Sequence, residues 1–533
     1  MRERRFFAGA IALIITQFAL ATAAWAVNSI TMPDQSGDIT GTYSALELDS
    51  SGNPVIAYPG NPILTGTRLR VLRCADPNCE PGLTPPFATP VPDANSGVQV
   101  TMRLDSSGFP VIAYLSQSAG QNRLAVVRCN DADCLGGDES VVLVDSGPGF
   151  GVGSQPSLQL DAVGNPVIAY IDATTTDRLV RILHCNDPDC AGGDESIQSI
   201  SARPTVNFSQ VPLQLDSSGF PVVAYRNSDS GLSVLHCNDI DCAGGDETIT
   251  DQNVGADNAI NVAMMLDASG NPVIAYVNQA AAPTLRVLRC NDPNCAGGDE
   301  SLTTPDDSDF SQNPYPGLAL DAAGFPVIAY NGPEGLLHIL HCNDANCAGD
   351  NENLAVITTG DPLGSGTDNT IVLDSAGNPV VTYRADVDSI LTLLVLHCDE
   401  PNCTSDSDGD GIDDADEVAL GLDPTDPDSD DDGIVDGSDP TIIVDTVMAL
   451  PVGVFANSGD PAGQRNAMLS RLANIEASIA AGDISGAIRA LRNLRRTVDG
   501  CGSSPDRNDW IEDCTAQLQI RDLIDLLITN LSA

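Results

Sequence analysis

Leu104-Asp-Ser-Ser-Gly-Phe-Pro-Val-Ile-Ala-Tyr114 is the stretch that decides the fold. An apolar run reaches Leu104, Asp105-Ser-Ser-Gly108 reverses the chain, and a second apolar run leaves from Pro110. Aspartate can close a turn on its own backbone and glycine can take positive φ, so the stretch reads as a β-hairpin. Proline directly after such a turn fits only the first residue of a strand. The same pattern recurs at Leu48–Tyr58, Leu160–Tyr170, Leu215–Tyr225, Leu266–Tyr276, Leu320–Tyr330 and Leu373–Tyr383, with a mean spacing of about 54 residues.

The other half of each repeat is an apolar run that ends in Arg or His followed by C-x4-C. These cysteine pairs are Cys74 with Cys79, Cys129 with Cys134, Cys185 with Cys190, Cys237 with Cys242, Cys290 with Cys295, Cys342 with Cys347 and Cys398 with Cys403. In the second copy, strands are expected at Val98–Leu104, Pro110–Tyr114, Leu124–Cys129 and Glu139–Val144. Four antiparallel strands repeated at this period predict a β-propeller, and seven copies predict seven blades. The last copy lacks a fourth strand, because the chain turns acidic after Cys403. Asn28-Ser-Ile-Thr-Met32 matches the missing element, so the N-terminal strand is expected to close blade seven and remove two exposed sheet edges.

Each cysteine pair is expected to clip its own hairpin end as a disulfide, since zinc would need ligands from neighbouring blades. Arg73, Arg128, His184, His236, Arg289, His341 and His397 precede the first cysteine of each pair, and are expected to partner Asp or Asn of nearby turns. The repeated tyrosines are expected in the core with their hydroxyls reaching a blade neighbour. The repeated turns and the cysteine loops share one face, which leaves the variable connections on the other. Variable loops on a rigid scaffold carry recognition, and Phe150, Phe208, Phe310 and Tyr315 are the aromatic candidates there. Only His338 of the five histidines lies outside the repeat slot, and neither G-x-S-x-G nor H-E-x-x-H occurs, so no catalytic residue is assigned.

Residues 1–26 read as a secretory signal: Arg2, Arg4 and Arg5, an apolar run from Phe6 to Ala21, then Ala24-Trp25-Ala26. No later apolar run approaches the ~20 residues of a membrane span. Across 533 residues the formal net charge is −50, which disfavours nucleic acid and anionic membrane surfaces as partners. The sixteen cysteines fit an oxidising, secreted or extracytoplasmic location.

Residues 404–440 hold 15 acidic residues in a pattern. Asp406, Asp408, Asp410, the Ile412 carbonyl, Asp414 and Glu417 fall at positions one, three, five, seven, nine and twelve of a calcium loop, with Gly411 at six. Asp428, Asp430, Asp432, Ile434, Asp436 and Asp439 repeat that spacing around Gly433, with Asp in place of Glu at twelve. The stretch Asp406–Pro440, with Gly421-Leu-Asp-Pro-Thr-Asp-Pro-Asp428 between the loops, resembles the thrombospondin type 3 repeats of bacterial exported proteins. That resemblance implies structural calcium held by loops around little core, forming a stiff spacer when loaded.

Residues 441–460 read as a linker, and 461–533 as a helical domain. Met468, Leu472, Ile475 and Ile479 mark one helix, and Ile484, Ile488, Leu491 and Val498 a second. A third is expected from about Asn508 to Leu531 on Ile511, Leu518, Leu523, Leu527 and Leu531, with Cys501 and Cys514 bridging the connection before it. The pattern is similar to small helical modules of the FIMAH type. The whole predicts an exported, calcium-binding, mainly β propeller that recognises protein or glycan ligands. A hydrolase or lyase with its site at the channel mouth, and a structural matrix protein, are the competing readings.

Overall fold

The structure is a computed structural model. It describes residues 28–531 apart from 37, 62–65, 81–86, 92–95, 118–120, 146–151, 175–177, 201–209, 228–230, 253, 255–257, 280–282, 307–314, 333–334, 350–351, 358–366, 388–389, 405–409, 411, 413–416, 418–419, 424–425, 431, 456–459, 499–509 and 512. Two units divide it, 27–405 and 406–533.

The first unit is a ring of seven four-stranded antiparallel sheets. Blade 2 shows the plan, with strands Val100–Leu104, Pro110–Ser116, Arg123–Arg128 and Ser140–Asp145 from the channel outwards. The expected ring closure is present: Ser29–Thr31 pairs antiparallel with blade 7, setting Ser29 opposite His397 and Thr31 opposite Val395. Blade 1 departs from the plan. Its fourth-strand place holds one bridge, Val71 to Ala88, while a short strand Ile39–Thr40 extends the inner edge.

Apolar burial is organised between blades. Each of seven clusters joins two neighbours, and the repeated tyrosine and disulfide of one blade pack against the preceding blade. The cluster that seals the ring sets Tyr58, Cys74 and Cys79 of blade 1 against Val380, Leu393 and Val395 of blade 7. Fully burying each such Val or Leu contributes about 1.5–3 kcal/mol, which makes these seams the main cohesion of the ring.

Disulfides close the seven C-x4-C loops with the expected partners. They join Cys74 to Cys79, Cys129 to Cys134, Cys185 to Cys190, Cys237 to Cys242, Cys290 to Cys295, Cys342 to Cys347, and Cys398 to Cys403. Each clip closes its own hairpin end as expected, and two further features set its role. First, the sulfurs belong to the seams. Cys129 and Cys134 of blade 2 are buried with Val55, Leu69 and Val71 of blade 1, and Cys185 and Cys190 of blade 3 with Val111, Ala113 and Leu124 of blade 2. Second, the loop is not an ordinary hairpin turn. Cys79, Cys134, Cys190, Cys242, Cys295, Cys347 and Cys403 all have positive φ, between 49° and 61°. Left-handed backbone at a non-glycine residue costs of order 1 kcal/mol. Cysteine bears that cost here because the position turns its sulfur inward to its partner and to the neighbouring blade.

One face is tied together by the repeated aspartate. Asp105 Oδ1 accepts the N–H groups of Ser107 and Phe109, which holds the turn. Its Oδ2 accepts from Arg128 at 2.6 Å, and Arg128 reaches on to the Pro188 carbonyl in the cysteine loop of blade 3. The same division recurs around the ring. His184 bridges Asp161 and Asp241, His236 bridges Asp216 and Asn294, and His341 bridges Asp321 and Asn402. Arg289 joins Asp267 to the Ala345 carbonyl, and Arg73 joins Asp49 to the Ala132 carbonyl. His397 joins Asp374 to Asn78 of blade 1 and so completes the circle. The cationic slot is therefore a set of structural clamps.

The tyrosine hydroxyls cross the seams on the opposite face. Tyr58, Tyr170 and Tyr330 donate to Asp34, Asp145 and Asp306. Arg70 and Arg181 join the first two of these carboxylates.

In the second unit, helices α1 (Thr441–Ala449), α2 (Pro461–Ala480), α3 (Ile484–Arg495) and α4 (Cys514–Asn530) enclose one core. Asp460 and Asp483 cap α2 and α3 by accepting from Gly463 and Gly486. The span 441–460, expected as a linker, thus holds α1, because Ile442, Ile443 and Val447 share one helical face and are buried. The third expected helix starts at Cys514 and not near Asn508, and its buried face runs through Ala516, Ile520, Ile524 and Leu527. Ile412 of the acidic segment is buried in the same core, so that segment is packed onto the helices within this unit. On the Arg-rich face of α3, Arg495 donates to both carboxylate oxygens of Asp525. The expected Cys501 bridge lies outside the described residues.

The seams can be tested at single glycines. Gly153 has φ +87°, and an added Cβ would lie 2.7 Å from the Leu124 nitrogen of the preceding blade. Gly153→Ala should destabilise the propeller by about 2–3 kcal/mol, whereas Gly164→Ala, at φ +92° in open space, should cost about 1 kcal/mol; thermal unfolding of the full chain compares them. The clamps carry a pH signature. For Asp161, Asp216 and Asp374, partial burial raises the carboxyl pKa. Backbone N–H donors and the clamp histidine outweigh it and leave the carboxyl below the ordinary Asp value. A lowered folded-state value makes the clamp's contribution complete above about pH 4 and lost as pH falls through that lower value. The difference in thermal midpoint between the wild type and Asp161→Asn should be full at pH 6 and shrink below pH 4.

Candidate functional site

The seven inner strands line a central channel of about 670 Å³, within the range of ligand sites. Each inner strand begins at the variable face and ends in its Asp-x-x-Gly turn, so positions ahead of the turn map onto depth in the channel. Two depths carry the carboxamides and charged groups, with the hydroxyls of Thr101, Ser157 and Thr370 between them.

The deeper belt lies two residues ahead of the turn aspartate. Glu47 accepts from Arg103 at 2.7 Å, and Arg103 also donates to Gln159 Oε1. Gln159 donates to Gln214 Oε1, and Gln214 donates to the Met264 carbonyl. Five consecutive blades are thereby linked edge to edge around the wall. Burial raises the Glu47 carboxyl above the ordinary Glu value, against the pull of Arg103. Glu47 and Arg103 offset each other, so the belt is polar without net charge.

The upper layer lies six residues ahead of that aspartate, or five in the case of Asn369, at the mouth on the variable face. A β-bulge places it: the inner-strand register breaks between Ser154 and Ser157 in blade 3, and between Ile260 and Ala263 in blade 5. Gln155 and Asn261 sit in those breaks at φ 53° and 51°, and Tyr43 of blade 1 has φ 52°. A bulge turns its side chain out of the strand's alternation. Here it brings Tyr43, Gln99, Gln155, Gln210, Tyr315 and Asn369 around a recess of about 110 Å³ that opens beside the channel. The Tyr43 and Tyr315 rings meet edge to face, with centroids 6.4 Å apart. The Gln155 N–H donates to Gln99 Oε1, and Asn369 Nδ2 donates to the Tyr315 carbonyl. Among the described residues no charged side chain lines this recess.

Of the four aromatic candidates, Tyr315 therefore stands at the mouth, while Phe150, Phe208 and Phe310 lie outside the described residues. Sequence reasoning misses the carboxamides beside it, although the shared offset of Gln99, Gln155 and Gln210 from the repeated aspartate is a readable signal. His338, the histidine outside the clamp slot, is buried with its ring edge-on to Tyr330 at 5.3 Å and over the Gly332 backbone. Burial holds its imidazole below the ordinary His value, against the pull of Asp306.

The cysteine loops are not metal centres. Glu247, Glu300 and Glu352 approach the pairs Cys237 and Cys242, Cys290 and Cys295, and Cys342 and Cys347. All six sulfurs are in disulfides, as are those of Cys134 and Cys190 in blades 2 and 3, so none offers a thiolate. The glutamates serve the loops instead: Glu247, for example, accepts the Asn238 N–H.

The second candidate site belongs to the acidic segment. Asp410, Glu417 and Asp436 bring carboxylate oxygens within 4.8 Å of one another, and all three residues are buried. Two of them come from the first expected loop and the third from the second. Asp410 Oδ1 accepts the Ile412 N–H, and its Oδ2 accepts the Gly437 N–H from the second loop. Gly437 permits that approach, since a Cβ there would lie 2.1 Å from the Asp410 carbonyl oxygen. Asn530 of α4 donates to the Gly437 carbonyl. Three enclosed carboxylates supply only hard oxygen donors, a set that suits Ca²⁺ or Mg²⁺ and not a thiophilic ion.

A second group, Asp428, Asp430 and Asp432, is less buried and also converges within 4.8 Å. Asp428 oxygens already accept the Asp432 and Gly433 N–H groups. Asp439 accepts from the Thr441 N–H and hydroxyl at the start of α1. Burial raises the Asp439 carboxyl pKa, the Thr441 bonds lower it, and Asp432 and Asp430 raise it further. Ile434 lies in the second loop with its N–H donated to Asp432. Asp406, Asp408 and Asp414 lie outside the described residues. Among the described residues no helix is long and apolar enough to cross a membrane.

No protein family's sequence profile matches the chain, and no curated protein sequence does. Solved propellers resemble it in backbone. An ulvan lyase of polysaccharide lyase family 25 shares 11% identity over 70% of this chain and 95% of its own, with a TM-score of 0.43. A lectin from Burkholderia pseudomallei shares 11% over 67% and 96%, at 0.41. A protein of unknown function from Dyadobacter fermentans shares 11% over 70% and 98%, at 0.40. Values this low carry no argument about activity or ligand.

Proposed function

We propose that the chain is an exported recognition module whose propeller binds protein or glycan ligands on its variable face, with calcium as a structural ion in the acidic segment. The observation that carries the reading is the asymmetry of the ring. One face is committed to clamps and disulfides in every blade, while the connections of the other differ in length and composition from blade to blade. Export is supported by the signal-like pattern of residues 1–26 and by a disulfide in each blade, which suits an oxidising compartment. Arrays of extracellular proteins and glycans probed with the full chain test the reading. Alanine at Phe150, Phe208 and Phe310 together should weaken capture at least tenfold, and Val163→Ser on the clamp face should leave it unchanged. The reverse result would place recognition on the clamp face and end the proposal.

The calcium reading rests on the buried Asp410, Glu417 and Asp436 group, with Asp428, Asp430 and Asp432 as a second, more open set. These side chains would hold the ion; it would offset their mutual repulsion and tie the two loops together. Adding Ca²⁺ should raise the unfolding temperature of the second unit. Glu417→Gln should weaken Ca²⁺ binding by tenfold or more in calorimetry, because a neutral amide replaces a charged carboxylate among the three that would hold the ion. Identical melting of the full chain in Ca²⁺ and in chelator would remove the metal from the account.

A further inference from the structure

We infer that the channel mouth is a binding site for an uncharged sugar unit, the terminal or projecting residue of a neutral glycan. The inference rests on the recognition reading above and narrows it to one site and one ligand chemistry.

The chemistry of the mouth excludes the alternatives in turn. Its recess is lined by Tyr43 and Tyr315 and by the carboxamides of Gln99, Gln155, Gln210 and Asn369, with no charged group among the described residues. Among the described residues that line the recess an anionic sugar would meet no guanidinium, within a chain whose net charge is −50. A cation would meet no carboxylate among the same described residues. Among the described residues a large apolar anchor of a protein partner would find Val100, Pro156 and the two rings interrupted by four carboxamides. What remains is a ligand with many hydroxyls and weakly polar C–H faces. Carboxamides offer both a donor and an acceptor to such hydroxyls, and an aromatic ring presents a π face to the C–H groups.

The backbone supports a purpose-built mouth. At this one depth three blades hold a non-glycine residue at positive φ, each with a polar or aromatic side chain. Left-handed backbone at Tyr43, Gln155 and Asn261 costs of order 1 kcal/mol each, and Tyr43 and Gln155 both line the recess. Below it the Glu47–Arg103–Gln159–Gln214 belt is already hydrogen-bonded along the wall, so it forms a floor and leaves recognition to the upper layer. Only a single unit fits the recess, so the rest of a glycan would extend outward over the variable face.

The test uses the full chain against a panel of neutral gluco-, galacto-, manno- and fuco-configured oligosaccharides, together with uronate- and sulfate-bearing ones. Neutral members should bind, and Tyr315→Ala and Gln210→Ala should each weaken the best of them at least tenfold with unchanged thermal unfolding. Tyr315→Phe, which keeps the ring, should weaken it less than threefold and separates ring stacking from loss of fold. If neutral glycans bind equally to both alanine variants but are lost on alanine substitution of Phe150, Phe208 and Phe310, the mouth assignment falls and recognition by the outer loops stands. Capture of anionic glycans alone, or of proteins alone, also overturns the mouth assignment while sparing the broader reading. A chain that captures neither glycans nor proteins overturns both.

Discussion

Each repeat depends on an aspartate that divides its carboxylate between two tasks. One oxygen holds the Asp-x-x-Gly turn through two backbone N–H groups, and the other holds the Arg or His that reaches into the next blade. The turn sets where the inner strand ends, and thereby the register of every residue on the channel wall. The cation sets the spacing between blades, and thereby the packing of each apolar seam. A propeller blade is too small to hold its apolar faces alone, so the local turn and the long-range seam must agree. Using one side chain for both makes them agree in all seven copies.

Much of this was legible in the sequence because a repeat shows its constraints seven times. The hairpins, the disulfide partners, the clamp partners and the closing strand all rest on residues whose position recurs. What the spacing of Cys129 and Cys134, or of Cys185 and Cys190, does not reveal is the left-handed backbone of the second cysteine and the burial of both sulfurs against the preceding blade. Pair spacing reports who can bond, and says nothing of which seam the bond fills. The structure also departs where a feature occurs once or depends on tertiary contact. The fourth strand of blade 1 is reduced to the Val71–Ala88 bridge, in the copy whose cysteine loop continues into Glu80-Pro81-Gly82. Helix α1 was hidden because a nine-residue helix is marginal by itself and gains its stability from burying Ile442, Ile443 and Val447. The grouping of Asp436 with Asp410 and Glu417 crosses two loops that sequence spacing treats as separate. Counting by twos back from Glu47, Arg103, Gln159 and Gln214 reaches Tyr43, Gln99, Gln155 and Gln210, so their place was readable, whereas Asn369 is one residue off that count and lies at the register break between Thr367 and Thr370.

The large negative charge and the neutral channel are complementary facts. The repeated aspartates lie on turns and loops, where water and backbone N–H groups solvate them, and among the described residues of the channel wall the carboxylate of Glu47 sits beside Arg103. The chain is therefore strongly repelled from other anions at long range. Among the described residues that line the mouth recess none is charged, and amides and phenols supply most of its polar groups. Range and contact specificity are thus set by different parts of the surface.

The pairing of Ser29–Thr31 with His397–Val395 also orders events in time. The first strand of the ring to leave the ribosome is the last that can find its place, because its partner lies at the far end of the propeller sequence. Joining chain ends so far apart costs about 5 kcal/mol of loop entropy by the logarithmic rule, unless the intervening blades have already stacked and brought them close. Assembly in sequence order, blade upon blade, removes most of that cost before the final pairing. Until then Ile390–His397 remains an open sheet edge, and the interval before closure is when the chain is most exposed to pairing with another copy of itself.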